Sequence, residues 1–358
     1  MEEYRILTIN PGSTSTKIAV YIGAAPVLVK NISHSTEELA QFAHITDQFH
    51  YRKNIIYKEL EDAEIRLDLI RVVVGRGGLL KPIPSGIYAV NEQMKFDLHN
   101  SPMREHASNL GGLIADDIAR SLPDAKAYIA DPVVVDELQD IARISGHPAF
   151  QRMSIFHALN QKAVARAHAK SIMKAYEDLD LIVVHLGGGI TIGAHHKGQV
   201  IDVNQGIDGE GPFSPQRSGT LPSADLIRAC FSGNYTEEQL IKMVNGEGGL
   251  VAHLGTNSAY EVETRMEAGD EKASLIYEAM AYQVSKYVGS MSTVLFGQVD
   301  GILITGGVAK SNWFVNRIMA RVHRIAPVFI YPGEDEMRAL AMNGLMVIKG
   351  EIEPKEYK

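Results

Sequence analysis

Two stretches of the chain share one pattern of apolar and polar positions. Ile6–Tyr21 reads ILTINPGSTSTKIAVY, and the segment opening at Leu181 reads LIVVHLGGGITIGAHHKGQVID. Each is an apolar run, a tight turn of Gly, Ser or Thr, and a second run suited to a strand, so each predicts strand, turn, strand. Backbone N–H groups at such a turn face outward and suit a phosphate. The turns do not open helices. After Gly189 come Ile190, Thr191, Ile192, Gly193 and Ala194, which read as strand. After Gly12 come Ser13, Thr14, Ser15, Thr16 and Lys17, then Ile18 and Val20 in alternation. Four hydroxyl residues make a poor helix interior. Rossmann and Walker sites both need a helix at this point, and no G-x-x-x-x-G-K-[ST] occurs. A pair of phosphate-binding hairpins is therefore expected. For either turn alone, a hairpin without a ligand is the competing reading.

The pattern continues nearly end to end, without a low-complexity linker. Residues 1–30 predict an opening β-meander. Glu37–Phe49 and Ile55–Asp68 predict helix or mixed structure, and Leu69–Val74 a short strand ending at Gly75-Arg76-Gly77-Gly78. Ser101–Ser121 has helical spacing, with Ser108, Gly111 and Gly112 as weak points. Ala125–Ala130 predicts a strand stopped by Asp131-Pro132, and Ile155–Tyr176 an amphipathic helix. Beyond the second hairpin, helices are expected at Leu221–Phe231, Thr236–Val244, Lys272–Leu295, from Ser311 to about Arg324, and at Asp335–Ile348. Strands are expected at Val299–Thr305 and Pro327–Tyr331. The order meander, αβα, then meander, αβα, predicts a duplicated α/β chain whose last helix returns to the first domain.

Composition narrows the partners. The chain has 358 residues, 45% of them apolar, which is enough for two domains with ordinary cores. The net charge is −8 with no basic block, so nucleic acid is not expected as a partner. One cysteine, Cys230, excludes an intrachain disulfide. The opening MEEYR runs straight into a strand without a basic, apolar leader, so no signal peptide is expected. No apolar run reaches membrane-spanning length, and a cytoplasmic protein without a membrane partner is expected.

The candidate chemistry begins at Asn10-Pro11-Gly12-Ser13-Thr14-Ser15-Thr16-Lys17, whose amide and hydroxyl donors at a strand end suit an anionic oxygen. This segment resembles the first signature of the acetate kinase family, the kinases that form acyl phosphates. The resemblance holds in order along essentially the whole chain. Arg76-Gly77-Gly78, His99-Asn100-Ser101-Pro102, Asp131 after its strand, Phe156-His157 and His185-Leu186-Gly187-Gly188-Gly189 each resemble a family motif. So do Arg217-Ser218-Gly219, Thr305-Gly306-Gly307 and Glu336. The opening motif, the Val-Gly-Arg-Gly-Gly segment and the His-Leu-Gly-Gly-Gly loop are most similar to the branch of the family that acts on butanoate.

The resemblance implies an α/β, two-lobed, duplicated RNase H-like fold, shared with sugar kinases, actin and the heat-shock ATPases. It implies a first lobe of residues 1–155 plus 340–358, holding the first phosphate loop and the acid site. The second lobe, 156–339, would hold the second phosphate loop and adenosine site. ATP or ADP with Mg²⁺ is the implied cofactor, and a small carboxylic acid the implied acceptor. Asn10, Arg76, Asp131, His157 and Arg217 are the implied catalytic residues. Gly12, Ser13, Thr14 and Lys17 are expected at the γ-phosphate, His185, Gly187, Gly188 and Gly189 at the β-phosphate, and Gly306 and Gly307 at adenosine. Asp131 and Glu336 are the implied metal ligands, and His99 a supporting residue. Arg71 competes with Arg76, because the family arginine precedes a Val-Val pair, and Glu334 and Asp335 compete with Glu336 for register. Gly188 stands where acetate kinases carry Asn, so backbone N–H groups would replace a side-chain amide there.

The chemistry agrees with those roles. Transfer from ATP to a carboxylate joins two anions, so it needs positive charge and a metal. A guanidinium grips carboxylate or phosphate in bidentate fashion. An imidazole at a helix N-terminus suits negative charge on a phosphoryl group in flight. His195 and His196, adjacent on a strand, read as surface residues. Glycines in the segment 206–215 would widen an acyl pocket. A buried CH₂ contributes about 0.8 kcal/mol, so discrimination between chain lengths would be modest. Branched-chain acids, acetate and propionate stay open beside butanoate. A sugar or polyol kinase, with Asp131 as base, and an actin- or chaperone-like nucleotide switch are the readings outside the family. A homo-oligomer is expected, with apolar positions Ala279, Tyr282, Val284, Tyr287 and Met291 on the long helix available to it.

Overall fold

The computed structural model describes residues 4–101 and 105–358. The chain divides into two compact units, Met1–Val135 with Asp335–Lys358, and Asp136–Glu334. The sequence placed the dividing points later, after residues 155 and 339.

In the first unit, strands β1 (Arg5–Pro11), β2 (Ser15–Ile22) and β3 (Ala25–Ser33) form an antiparallel meander. β4 (Ile70–Arg76) pairs parallel to β1, and β6 (Lys126–Ala130) parallel to β4. β5 (Ile87–Ala89) and a two-residue strand at Lys355–Glu356 extend that edge, giving seven strands. Side chains alternate across the sheet, as a pleated strand requires. Leu7, Ile9 and Val73 share a core with Leu110, Ile114 and Ile118 of the helix Asn109–Arg120. Ile6, Val72 and Val74 lie on the other face, against Gly344 of the helix Glu336–Ile348. The last helix of the chain thus packs on β1 and β4.

The second unit repeats the scheme. β7 (Asp180–Leu186), β8 (Ile190–His196) and β9 (Gln199–Val203) form the meander. β10 (Gly301–Gly306) pairs parallel to β7, and β11 (Val328–Pro332) parallel to β10. The orders β6-β4-β1-β2-β3 and β11-β10-β7-β8-β9 are the same arrangement. Leu181, Val183 and Leu303 pack with Ala165 and Ala169 of the helix Ala158–Ser171. Ile182, Val184, Ile302 and Ile304 face Met280, Ala281 and Val284 of the helix Glu271–Val294. Each such side chain contributes about 1.5–3 kcal/mol on burial.

Several expectations shift. The helix predicted at Ser101–Ser121 is shorter, Asn109–Arg120, and a separate helix, Glu92–Asn100, precedes it. His99, expected in a loop, lies exposed in the last turn of that helix, and Pro102 falls outside the described residues. Ile155–Tyr176 shortens to Ala158–Ser171. The short strand β5 and the helices Gly249–Leu254 and Ala259–Glu267 were not among the expected elements. Val284 and Met291 belong to the core, while Tyr282 is exposed.

Gly111 and Gly112, read as weak points, are where the helix lies directly on β4. A Cβ on Gly75 would run into the Gly111 carbonyl and come within 2.9 Å of the Gly112 nitrogen. Gly75→Ala is expected to lower stability by about 1–3 kcal/mol through overpacking. An earlier urea-unfolding transition would show it, and an unchanged midpoint would show that the helix gives way without cost.

Candidate functional site

In the first unit the chemistry gathers at the carboxyl end of the parallel strands. Asn10 lies near the end of β1, Arg76 closes β4, and Glu336 opens the helix Glu336–Ile348. Their side chains meet. Asn10 Nδ2 donates to Glu336 Oε2 at 2.5 Å. Arg76 Nη1 donates to Asn10 Oδ1 at 3.3 Å and lies 3.2 Å from the Glu336 carboxylate. Arg71 sits at the other end of β4, donating to the carbonyl of Asp68 at 2.7 Å. Arg76, expected just past the strand's end at Val74, is the last residue of the strand itself. The three acidic neighbours separate cleanly. Asp335 caps the last helix, accepting from the Arg338 N–H, Glu334 belongs to the second unit, and Glu336 joins Arg76.

The first turn is held from beneath by a residue the sequence reading missed. Arg52, 1% exposed, donates from Nη1 to the carbonyls of Gly12 (2.9 Å) and Ser15 (3.0 Å) and to Thr16 Oγ1 (2.9 Å). Its Nη2 reaches the Ser13 carbonyl at 3.4 Å, and Gln48 Oε1 accepts from both Nε and Nη2. Burial pulls the Arg52 pKa down. With the turn's carbonyls engaged by Arg52, Ser13 and Thr14 remain exposed, as does Lys17 on β2. The sequence signal existed: Arg52, Ile56 and Leu60 form one buried stripe at helical spacing, and a charge on such a stripe calls for partners.

Asp131 follows β6 and is buried. Its Oδ1 accepts from Ser85 Oγ (2.6 Å) and the Gly86 N–H (2.8 Å), while its own N–H donates to the Gly86 carbonyl (3.0 Å). Its φ of 38° is left-handed, a costly conformation for a residue with a side chain, and these bonds hold it there. Gly77 and Gly78 serve packing, since a Cβ on either would meet Pro132 or Asn109.

In the second unit the turn Gly187–Gly189 joins β7 to β8, closed by Gly187 N–H to the Gly189 carbonyl at 3.1 Å. The Gly188 carbonyl accepts from Ser214 Oγ (2.6 Å) and the Gln216 N–H (3.1 Å). Gly188 itself is exposed, with the Gln216 carboxamide beside it. The Arg217 guanidinium lies against Gly189, where any Cβ would strike it, and donates to the Gly206 carbonyl. His185 Nδ1 is 2.7 Å from Asn160 Oδ1, and Nε2 is 3.4 Å from a Glu334 carboxylate oxygen. Gly306 ends β10 with φ 96°, backed onto the Leu186 backbone and paired with Gly333, while Gly307 is exposed. Gly206 and Gly211, expected to widen a pocket, are close-packed against the Thr191 methyl group and the Asn204 carboxamide.

His157 is the N-cap residue of the helix Ala158–Ser171. Its ring stacks on that of His185, with centroids 3.7 Å apart and planes at 10°. Its Nδ1 lies 2.9 Å from Thr191 Oγ1 on β8. Gln161, one helical turn on, donates to the Thr191 carbonyl (3.1 Å) and Oγ1 (2.9 Å), and its Oε1 lies 3.0 Å from His195 Nε2. His195 Nδ1 in turn meets the Tyr176 hydroxyl at 2.7 Å. His195 was expected at the surface but is fully buried, with Gln161 and Tyr176 on its ring nitrogens; His196 is exposed and paired with Asp180. Burial holds the His195 pKa well below 6.5, and the Lys162 and Arg166 charges lower it further.

Among the described residues no group of three or more His, Cys, Asp or Glu side chains gathers to hold a metal. Mg²⁺ needs only one or two carboxylates when phosphate oxygens and waters complete its shell, and Asp131 and Glu336 are donors of that class. Nor is any described helix long and apolar enough to cross a membrane.

Known proteins resemble this chain along nearly its whole length. The model of the Acetokinase family matches residues 150–331. The chain is 53% identical, over 99% of its length and all of the relative's, to a probable butyrate kinase of Bacteroides thetaiotaomicron. It is 54% identical, over the same shares, to butyrate kinase 1 of Clostridium acetobutylicum. Among solved structures, Porphyromonas gingivalis acetate kinase superposes with a TM-score of 0.76 at 17% identity, covering 96% of this chain and 100% of that one. That likeness shows the shared duplicated α/β fold.

Two outcomes follow from the buried polar groups. Arg52→Met leaves the turn's carbonyls without their donor and is expected to cost about 3 kcal/mol; denaturant unfolding measures it, and a loss under about 1 kcal/mol would contradict the account. For His195, the unfolded chain takes up a proton below pH 6.5 while the native one does not. Its contribution is therefore intact above that pH and falls as the pH drops toward the lowered native pKa, by up to about 1.4 kcal/mol per pH unit. His195→Gln is expected to flatten the loss of stability between pH 6.5 and 5.5, and equal slopes for the two proteins would refute it.

Proposed function

This chain belongs to the acetokinase family, and we propose that it transfers the γ-phosphoryl group of ATP to butanoate, giving ADP and butanoyl phosphate. The observation that carries the choice of acid is the full-length identity of 53% and 54% to proteins named butyrate kinase. The step is a direct in-line displacement. A carboxylate oxygen attacks the γ-phosphorus, a new P–O bond forms, and the bond to the β-phosphate oxygen breaks, leaving ADP with the electron pair. The acid enters ionised, so no general base is required. That is the chemical difference from a sugar kinase, in which a hydroxyl must lose a proton.

Each residue then has a stated task. Arg76, held by Asn10 and Glu336, offers its guanidinium to an acid or phosphoryl oxygen. The donors of Gly12, Ser13 and Thr14, with Lys17 beside them, serve the γ-phosphate, and the N–H groups of Gly187, Gly188 and Gly189 with His185 serve the β-phosphate. Gly306 and Gly307 leave room for adenosine. Arg217 and His157 stabilise charge on the phosphoryl group in flight. Asp131 and Glu336 are the residues that would hold Mg²⁺, which supplies charge neutralisation on the phosphate oxygens. His99, exposed at the end of its helix, keeps at most a supporting place. Branched four- and five-carbon acids, acetate and propionate are weaker substrates in this reading, since one or two methylenes discriminate by only about 1–3 kcal/mol. The protein acts in the cytoplasm as a homo-oligomer, for which exposed Leu275 and Tyr282 on the helix Glu271–Val294 offer apolar surface.

A hydroxamate-trapping assay with ATP, Mg²⁺ and acids of two to six carbons tests the proposal. Butanoate should give the highest kcat/KM, and absence of acyl hydroxamate with every acid would sink it. Arg217→Ala and His157→Ala should each lower kcat by roughly 10²–10³-fold while the protein stays folded; near-wild-type turnover would remove the role assigned to that residue.

A further inference from the structure

The polar groups behind His157 form a directional chain, and the chain has one end whose chemistry is unambiguous. The Thr191 carbonyl only accepts, so the Gln161 group 3.1 Å from it is the amide nitrogen. The same nitrogen spends its second proton on Thr191 Oγ1 at 2.9 Å, and the His157 backbone N–H also points at Oγ1 at 3.5 Å. Thr191 is completely buried, so water does not supply further partners. A hydroxyl that already accepts has a single proton to give, and the remaining acceptor within reach is His157 Nδ1 at 2.9 Å. We propose that Gln161 and Thr191 lock His157 as the tautomer with Nδ1 accepting and the proton on Nε2, so that the ring always presents an N–H donor on the side away from Thr191.

The far end of the chain agrees. With the Gln161 nitrogen committed to Thr191, its Oε1 faces His195 Nε2 at 3.0 Å, so Nε2 carries the His195 proton, and Nδ1 accepts from the Tyr176 hydroxyl at 2.7 Å. That pattern requires a neutral His195, and burial keeps it so. Gly193 is the clearance that lets the pair form: a Cβ there would lie 2.7 Å from Gln161 Oε1 and 3.2 Å from His195 Nε2. The stacked His185 ring fixes the plane of His157 as the hydrogen bonds fix its proton. Gln161 and Thr191 are positioning residues: they act through His157. The inference rests on the role given to His157 above, but the tautomer is a property that can be measured without turnover.

The experiment is two-bond ¹H–¹⁵N correlation NMR on ¹⁵N-histidine-labelled full-length protein, with the His157 signals identified by their loss in His157→Gln. Wild type should show His157 as the Nε2–H tautomer alone; a proton on Nδ1 in the neutral ring overturns the proposal outright, whatever any variant does. Thr191→Val, close in shape but without the hydroxyl, should yield a mixture of tautomers. Its kcat should fall at least roughly tenfold, with KM for ATP and acid within about twofold. Thr191→Ser should restore both the single tautomer and most of the turnover. A Thr191→Val protein that keeps the pure Nε2–H form, or wild-type kcat, also overturns the proposal. Should His157→Ala keep wild-type turnover, the function assigned to His157 fails, while the NMR result still decides what sets its proton.

Discussion

Parallel pairing on one side of a meander makes three strands of each unit end at the same edge of their sheet, and the candidate chemistry depends on it. In the first unit β1, β4 and β6 deliver Asn10, Arg76 and Asp131 to that edge. In the second, β7, β10 and β11 deliver His185, Gly306 and, just beyond, Glu334. Ligands of open α/β sheets gather at carboxyl edges because strands end there and loops begin, leaving backbone donors uncommitted. The duplication puts that edge in the chain twice, with different residues at equivalent positions. The first edge carries cation and carboxylate; the second carries glycine turns and stacked imidazoles.

Neither edge would hold its shape on loop backbone alone. Beneath the first turn a buried guanidinium gathers three carbonyls that would otherwise compete for outside donors. Beneath the second site a hydrogen-bonded chain runs from Tyr176 through His195, Gln161 and Thr191 to His157. The two solutions differ in kind. A buried cation places positive charge beneath the first turn, whereas the second set of hydrogen bonds joins side chains through amide, hydroxyl and imidazole groups. Buried polar groups carry a desolvation cost unless they are satisfied, so both devices hold their functional groups rigidly.

Much of this was legible in the sequence, for physical reasons that vary by residue. Alternation in ILTINPGSTSTKIAVY and its counterpart revealed both meanders, since strands in a two-faced sheet must repeat every second residue. The order of motifs around Asn10, Arg76, His157, Gly187 and Arg217 pointed to the family. Less visible were features set by tertiary neighbours. Nothing local marks β5 as a strand, because three residues carry too little period. His195 looked like a surface residue because one face of a strand is usually wet, yet β8 is covered on both faces. Gly111 looked like a helix defect and is instead the point of closest approach to β4. Thr191 and Gln161 carried no signal, since a polar residue in an apolar run acquires meaning only from what it meets.

The central claim is that a carboxylate oxygen of the acid forms the new bond to the phosphorus that ATP gives up. Its most direct test follows oxygen: butanoate labelled with ¹⁸O in both carboxyl positions is incubated with ATP, Mg²⁺ and the protein, and the acyl phosphate is read by ³¹P NMR. The account predicts an isotope-shifted phosphorus resonance, because the bridging oxygen comes from the acid. A phosphorus resonance without the shift, with ADP formed in the same sample, would contradict it.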